Sequence, residues 1–297
     1  MVNGENPDSS RMCGTVGGRA KYVNSYTHMD EIKEHYDLIE EKDRLSSGFG
    51  LLEKERTKQI ILRYVEKKSA TILDVGGAAG VYSFWLAGRG HEVHLGDASP
   101  KHIQQAKAIN ETSKAKLASI SVIDARDLSE YGDESIDYIL LLGPLYHLVE
   151  RNDRWQALTE CFRILKKKGK LFAAGINRYA SLYDGLSRGL IDDPYFVRIL
   201  KEDLKSGQHR NPANHPDYFT TTIFQLPEEM EEEIKDSRFS LINAHAVEGP
   251  LWMIKDFDQR WENDAKRKQI LDFLNLLEQH HISLLTTHHY IVVGEKP

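Results

Sequence analysis

Between Thr71 and Ile176 short apolar runs alternate with amphipathic ones: TILDVG, the helical VYSFWLAGRG, EVHLGD, a helix from Pro100 through KHIQQAKAI, then ISVID, IDYILLLG, the helix RWQALTECFRIL and KLFAAGI. Strands separated by helices do not pair as hairpins. They build βαβ units, and hence a parallel sheet covered on both faces. IDYILLLG is apolar without alternation, which predicts a central strand buried on both sides. The rhythm breaks over 177–226, read as an insertion with one helical patch, a polar loop and a Thr-rich strand-like run. It resumes with the helix PEEMEEEIKDS, the strand FSLINAHAVEG, the helix NDAKRKQILDFLNLLEQ and a last strand in HHYIVVGEKP. Upstream, Ile32, Tyr36 and Ile39 predict a helix from Asp30. Ile60, Ile61, Tyr64 and Val65 predict a second from Glu53, with DRLSSGFG as loop between them. Residues 1–29, polar and rich in Gly, Ser and Asn at their start, read as a mobile tail.

Composition narrows the partners. Of the 297 residues, 40% are hydrophobic and 28% charged, ordinary globular usage that excludes a disordered or collagen-like chain. A net charge of −6 and a pI near 6.1 leave no basic footprint for nucleic acid. No apolar run is long enough to span a bilayer, and MVNGENPDSS lacks the apolar core of a secretory signal, so a cytoplasmic location away from membranes is expected. Cys13 and Cys161 make neither a disulfide framework nor a paired-cysteine metal site, and both are expected free.

The run ILDVGGAAGVYSFWLAGRGHEVHLGDASP is the most informative. A strand enters a turn with Gly76, Gly77 and Gly80 and leaves into a helix, letting the backbone approach a ligand closely. A second strand ends at Asp97, placed to accept hydrogen bonds from two ribose hydroxyls. A dinucleotide fingerprint needs glycines at i, i+2 and i+5. The best register here has Gly77 and Gly80 but Val75 in first place, which weakens an NAD-dependent oxidoreductase. Asp74, at the strand end, would repel a pyrophosphate and attract an ammonium group.

D-V-G-G-A-A-G with an acid-ended second strand resembles motif I and its successor in class I S-adenosylmethionine-dependent methyltransferases. VIDARDLS resembles that family's segment after the third strand, LLLGPLYHL its fourth-strand motif, RILKKKGKLF the turn into its fifth strand, and YIVVGEKP its antiparallel last strand. The resemblance spans roughly 70–176, with Ala78 standing where glycine is commoner. It implies a Rossmann-like, doubly wound α/β fold: a seven-stranded, mostly parallel sheet with an antiparallel last strand and helices on both faces. Its parts are a tail (1–29), an N-terminal helical cap (30–66), a cofactor-binding core (67–176), a substrate-lid insertion (177–226) and a completing segment (227–297). It further implies S-adenosyl-L-methionine as cofactor and S-adenosyl-L-homocysteine as product, held by Asp74, Gly76, Gly77, Gly80, Asp97, Ala98, Asp124, Ala125, Arg126 and Gly143. Asp124 would meet the adenine amino group and the Ala125 amide the ring.

At the carboxyl end of the fourth strand, Gly143-Pro144-Leu145-Tyr146-His147 lacks the Asn/Asp-Pro-Pro-aromatic motif of DNA and glutamine N-methyltransferases. It looks closer to small-molecule methyltransferases of the ubiquinone-biosynthesis type, implying a small-molecule acceptor with an oxygen or nitrogen nucleophile. His147 is the candidate base or orienting group, or else a packing histidine at a helix start. Tyr146 is placed to flank the sulfonium or to pack in the core. The acceptor pocket is expected to be closed by the N-terminal helices and by insertion aromatics (Tyr179, Tyr183, Tyr195, Phe196, Tyr218, Phe219), with Glu248 and Trp252 entering the same face. The pairs His280/His281 and His288/His289 are read as structural or exposed and no metal is expected, because strand neighbours point apart and no spaced Cys or carboxylate set completes a site. A non-catalytic cofactor-binding protein and a protein-directed methyltransferase are the remaining alternatives.

Overall fold

The computed structural model describes residues 41–211, 215 and 217–297. The expectations for residues 1–29, for a helix from Asp30 and for Cys13 lie outside them. The described chain opens with a 3-10 turn, Glu41–Ser46, and helix α1, Phe49–Tyr64. β1 (Thr71–Val75), α2 (Val81–Ala87), β2 (Glu92–Asp97), α3 (Pro100–Thr112), β3 (Ser119–Val122) and β4 (Ile136–Leu141) follow. Then come α4 (Pro144–His147), α5 (Arg151–Ile164) and the long β5 (Leu165–Ile176). The insertion holds α6 (Ala180–Arg188), α7 (Pro194–Ser206) and a ribbon of β6 (Gln208–His209) with β7 (Thr222–Ile223). The chain closes with α8 (Pro227–Asp236), β8 (Ser240–Ala246), α9 (Phe257–Glu262), α10 (Asp264–Leu277), α11 (His281–Thr286) and β9 (His289–Glu295).

Seven strands form one sheet in the order β3-β2-β1-β4-β5-β9-β8, parallel except for β9, which runs antiparallel to both neighbours. The expected fold class is therefore observed. All six residues of β4 are buried between β1 and β5, as the unalternating run predicted. Neighbouring residues of each strand feed opposite cores. Leu73, Ile139, Ala173 and Val292 pack with α5 and α8, whereas Ile72, Leu140, Phe172 and Ile291 pack with α1, α2 and α3. Both faces are thus covered by helices, as a parallel sheet requires.

Three local expectations are corrected. DRLSSGFG is not all loop: it contains the end of the 3-10 turn, and α1 starts at Phe49, one turn before Glu53. The Phe49 ring lies 4.4 Å from Phe257, and Leu52 is fully buried beside Phe257, Trp261 and Leu274, a tertiary anchor that local periodicity cannot register. The insertion holds two helices rather than one patch, separated at Gly189, whose φ of +73° ends α6. The second is started by Asp193, whose carboxylate accepts from the Tyr195 N–H, with Pro194 in the first turn. His280 and His281 are not on a strand but at the start of α11.

α1 is tied to the body by Arg56, fully buried, which donates to Glu278 and, at 2.7 Å, to Asn275. Breaking one side of such a buried pair costs about 3–5 kcal/mol. This clamp matters for the site because α1 carries Glu53 and, just before it, Arg44.

Candidate active site

The glycine turn is pinned to β2 from below. The Gly76 and Gly77 N–H groups donate to the Gly96 carbonyl at 2.7 and 3.2 Å, and the Ala78 N–H donates to Oδ2 of Asp97 at 2.9 Å. Gly76 and Gly80 take left-handed backbone (φ +75° and +92°). A β-carbon on Gly76 would lie 2.6 Å from the Pro144 ring, and one on Gly77 would lie 2.7 Å from the Asp74 carboxyl. The first glycine lets the Gly143-Pro144 segment close over the turn, and the second lets Asp74 reach it.

Ala78, the departure from glycine, also takes a left-handed φ of +49°. The bond to Asp97 holds it there. Ala78→Gly relieves about 1–2 kcal/mol of left-handed strain while adding about 0.5–1 kcal/mol of unfolded-chain entropy. Thermal melts are expected to show a net gain of about 0–1.5 kcal/mol, with cofactor affinity within twofold.

Above the turn lies a cleft lined by Asp74, Gly76, Gly77, Ala78, Tyr82, Gly143 and Tyr146, together with Arg44, Glu53, Thr57 and His289. Of the sequence-expected residues it brings together Asp74, Gly76, Gly77, Gly143 and Tyr146. Gly80, Asp97, Ala98, Asp124, Ala125, Arg126 and His147 are not on its lining. Asp97 is buried, and its carboxylate accepts from the N–H groups of Ala78 and Ser99 and faces His102 Nδ1 at 3.2 Å. Asp124 pairs with Arg126 at 2.6 Å, and Arg126 reaches Asp153 at 3.2 Å. His147, the last residue of α4, is packed among rings, edge-on to Tyr146 at 4.7 Å and parallel to Phe219 at 6.2 Å. Among the described residues, none of 177–226 lines the cleft. Its aromatics pack mainly elsewhere: Phe196 and Tyr218 form a small core with Tyr195 beside them, and Tyr183 stacks 5.2 Å from Trp252.

Three groups on the cleft, Tyr82, Asp74 and His289, have shifted pKa values, and burial pushes the Tyr82 phenol up. Asp74 is buried and accepts from Ser83 Oγ at 2.6 Å. Burial, helped by the nearby Asp97 charge and opposed by the Ser83 bond, pushes its pKa up to about 7. His289 Nδ1 donates to Oε1 of Glu248 at 2.6 Å and lies 3.8 Å from Oε2 of Glu53. Burial alone would lower the imidazole pKa, but Glu248 and Glu53 outweigh it and raise it to about 9. Glu248 is held below the usual carboxylate range, because His289 and His288 outweigh the penalty of its burial.

The expectation that no carboxylates accompany the histidine pairs is therefore corrected. Glu53, Glu248 and His289 place ligand atoms within 4.8 Å of one another. Their hydrogen bonds are made to protein instead of requiring an ion. Both Glu53 oxygens bond Arg44, and the Glu248 oxygens accept from Thr287 Oγ1, the His289 N–H and His289 Nδ1. Sequence reasoning missed this group because its members come from three distant segments; the pair HH before an apolar run was its one local sign.

Residues 73–173 match the family model described as a methyltransferase domain. No curated protein matches the chain. Among solved structures, the chain is similar to an S-adenosylmethionine-dependent methyltransferase from Methanosarcina mazei, at 20% identity and a TM-score of 0.55 over 80% of this chain and 96% of that one. It is also similar to the 1,6-didemethyltoxoflavin-N1-methyltransferase of Burkholderia thailandensis, solved with bound 1,6-didemethyltoxoflavin and S-adenosylhomocysteine, at 12% identity and a TM-score of 0.56 over 96% and 93% of the two chains. A Haloferax volcanii complex of a methyltransferase with the Trm112 methyltransferase activator aligns at 16% identity and a TM-score of 0.55 over 90% and 97%. At these identities the likeness establishes the fold.

Proposed function

We propose that this chain is an S-adenosylmethionine-dependent methyltransferase and that it passes the methyl group to a small molecule through an oxygen or nitrogen nucleophile. The observation that carries the reading is the continuity of one cleft from the glycine turn and the buried Asp74 to Tyr146 and His289, so that donor and acceptor can share it. Asp74 suits the α-ammonium of the methionine moiety and would repel a pyrophosphate, which disfavours a nicotinamide cofactor. The glycine backbone gives the cofactor close approach, and Asp97 acts chiefly by holding the turn through Ala78.

When bound, S-adenosylmethionine supplies a methyl group on a sulfonium, ready for direct displacement. The chain's own contribution is alignment and exclusion of water. Tyr146 and the cap residues Arg44 and Glu53 line that cleft together. We read the insertion as a lid acting through Tyr146, whose carbonyl accepts from Thr222 Oγ1 and whose side chain packs beside Phe224. A small acceptor is supported by the GPLYH segment, which resembles the ubiquinone-biosynthesis type, and by the toxoflavin methyltransferase, a full-length structural relative holding a small heterocycle.

Calorimetric titration with S-adenosylmethionine and S-adenosylhomocysteine is expected to show binding of both. Asp97→Ala leaves the Ala78 N–H without its acceptor, worth about 1–3 kcal/mol, and so is expected to weaken both by about 10–100-fold. Wild-type protein that binds neither compound would refute the assignment.

A further inference from the structure

We propose that His289, oriented by Glu248, holds a negatively charged oxygen of the methyl acceptor, so that the acceptor is an oxyanion such as a phenolate, an enolate or a carboxylate. This rests on the methyl-transfer reading above and names the acceptor class of that site.

The geometry of the ring comes first. His289 lines the cleft together with Asp74, Gly143 and Tyr146. Its Nδ1 is occupied at 2.6 Å by Glu248, itself buried and fixed at 2.9 Å by both Thr287 Oγ1–H and the His289 backbone N–H. An imidazole held through one nitrogen by a pinned carboxylate has a set orientation and leaves the other nitrogen for a ligand. Nε2 makes no hydrogen bond to any described residue. Tautomer and ring direction follow from the Glu248 bond, as the acceptor atom there must receive a proton.

The surrounding charges decide what Nε2 offers. The groups facing His289 are Glu248, Glu53, Arg44 and the preceding His288. Arg44 pairs with Glu53, and Glu248 answers the imidazole, so the cluster is balanced when His289 carries its second proton. Nε2 is then a donor at neutral pH, in keeping with the raised pKa of about 9. A donor selects an oxygen that can accept, and a cationic one selects an anion. It cannot serve as a base for a neutral hydroxyl until it has lost that proton.

An oxyanion acceptor needs no base. Its lone pair forms the new oxygen–carbon bond as the carbon–sulfur bond breaks and the bonding electrons stay on sulfur. The sulfonium charge and the oxyanion charge vanish together, and no proton moves. This also explains why a histidine stands on the cleft wall in protonated form near a cationic cofactor: the acceptor's charge lies between two positive centres.

The test uses the full-length protein, with and without S-adenosylhomocysteine, and two isosteric probe pairs: benzoate against benzamide, and phenylacetate against phenylacetamide. In wild type at pH 7.5 each carboxylate is expected to bind at least tenfold more tightly than its amide, measured by ligand-observed NMR. The ratio is expected to fall to within twofold of unity in His289→Gln, with S-adenosylhomocysteine affinity changed less than threefold. Wild type at pH 10 is expected to lose the preference too, a readout that needs no variant. Glu248→Gln, as a positioning change, is expected to move the pH midpoint of the preference down by at least one unit, which a purely structural role would not do. Equal affinity for acid and amide in wild type, including none measurable for either, overturns the proposal, as does a preference that survives in folded His289→Gln. Loss of S-adenosylhomocysteine binding by wild type counts against the cofactor reading instead, and the probe ratio on the unliganded protein then decides the role of His289.

Discussion

Gly77→Ala is expected to abolish cofactor binding while leaving the sheet folded. The added β-carbon would sit 2.7 Å from Cγ and Oδ2 of Asp74. That carboxyl is buried and held by Ser83, so making room for the methyl means breaking that bond and turning it from its place beside the turn. Overpacking of this kind costs about 1–3 kcal/mol, and turning Asp74 aside removes the charge-assisted bond proposed for the cofactor's ammonium group, worth about 1.5–3 kcal/mol. Together they correspond to a loss of affinity of about 10²–10⁴-fold. Calorimetry reads the binding and circular dichroism the fold. Gly90 supplies the control: its φ is +93°, but a β-carbon there meets nothing within 4 Å, so Gly90→Ala should strain the backbone without touching affinity. Wild-type affinity in Gly77→Ala would mean that Asp74 does not face the cofactor.

Cofactor affinity is expected to fall with acidification, with its break near pH 7. In the free protein Asp74 is neutral below about 7, and the contact proposed with the cofactor's ammonium group requires the carboxylate. Each pH unit below the break should therefore weaken binding about tenfold, with a plateau above it. Near pH 6 binding should release close to one proton, which calorimetry in buffers of different ionisation enthalpy measures directly. Asp74→Asn should bind weakly and without this slope. The unliganded fold shows the mirror image. A carboxyl whose folded pKa is raised binds more protons folded than unfolded, so stability is fullest below the unfolded value of 3.8 and declines as pH rises toward 7. The ceiling on that decline is about 4 kcal/mol, and the gain in melting temperature on adding cofactor should be larger at pH 8 than at pH 6. A flat pH profile of affinity would remove Asp74 from the ammonium site.

The sheet was legible because each of its strands is short, apolar and punctuated: β4 shows its burial on both faces in an unbroken IDYILL, and β2 announces its end with Asp97. The glycine turn was equally plain, since only a turn that approaches something closely uses Gly76 and Gly77 in succession. Orientation was not legible. Asp97 stands where expected, yet its carboxylate bonds Ala78 and Ser99 rather than lining the cleft, a matter of side-chain angle. His147 stands at the carboxyl end of β4, but the single turn begun by Pro144 carries its ring to Phe219. The imidazole on the cleft, His289, was set aside because its partners are not neighbours in sequence. Glu248 lies 41 residues earlier and Glu53 on the far side of the whole core, and only tertiary structure unites them.

The placement of β9 has a consequence for how the protein comes into being. This strand is the last of the sheet to be synthesised, yet it sits inside, between β5 and β8, and its first residue, His289, is paired with Ile176 at the ligand-bearing end. A chain synthesised only through β5 holds the glycine turn but lacks the cleft wall that carries His289 and leaves the edge of β5 without its β9 neighbour. Pairing at such long sequence separation is slow to form. The wall that carries His289 is therefore completed only when β9 docks, so a ligand held by His289 should speed no earlier step of refolding.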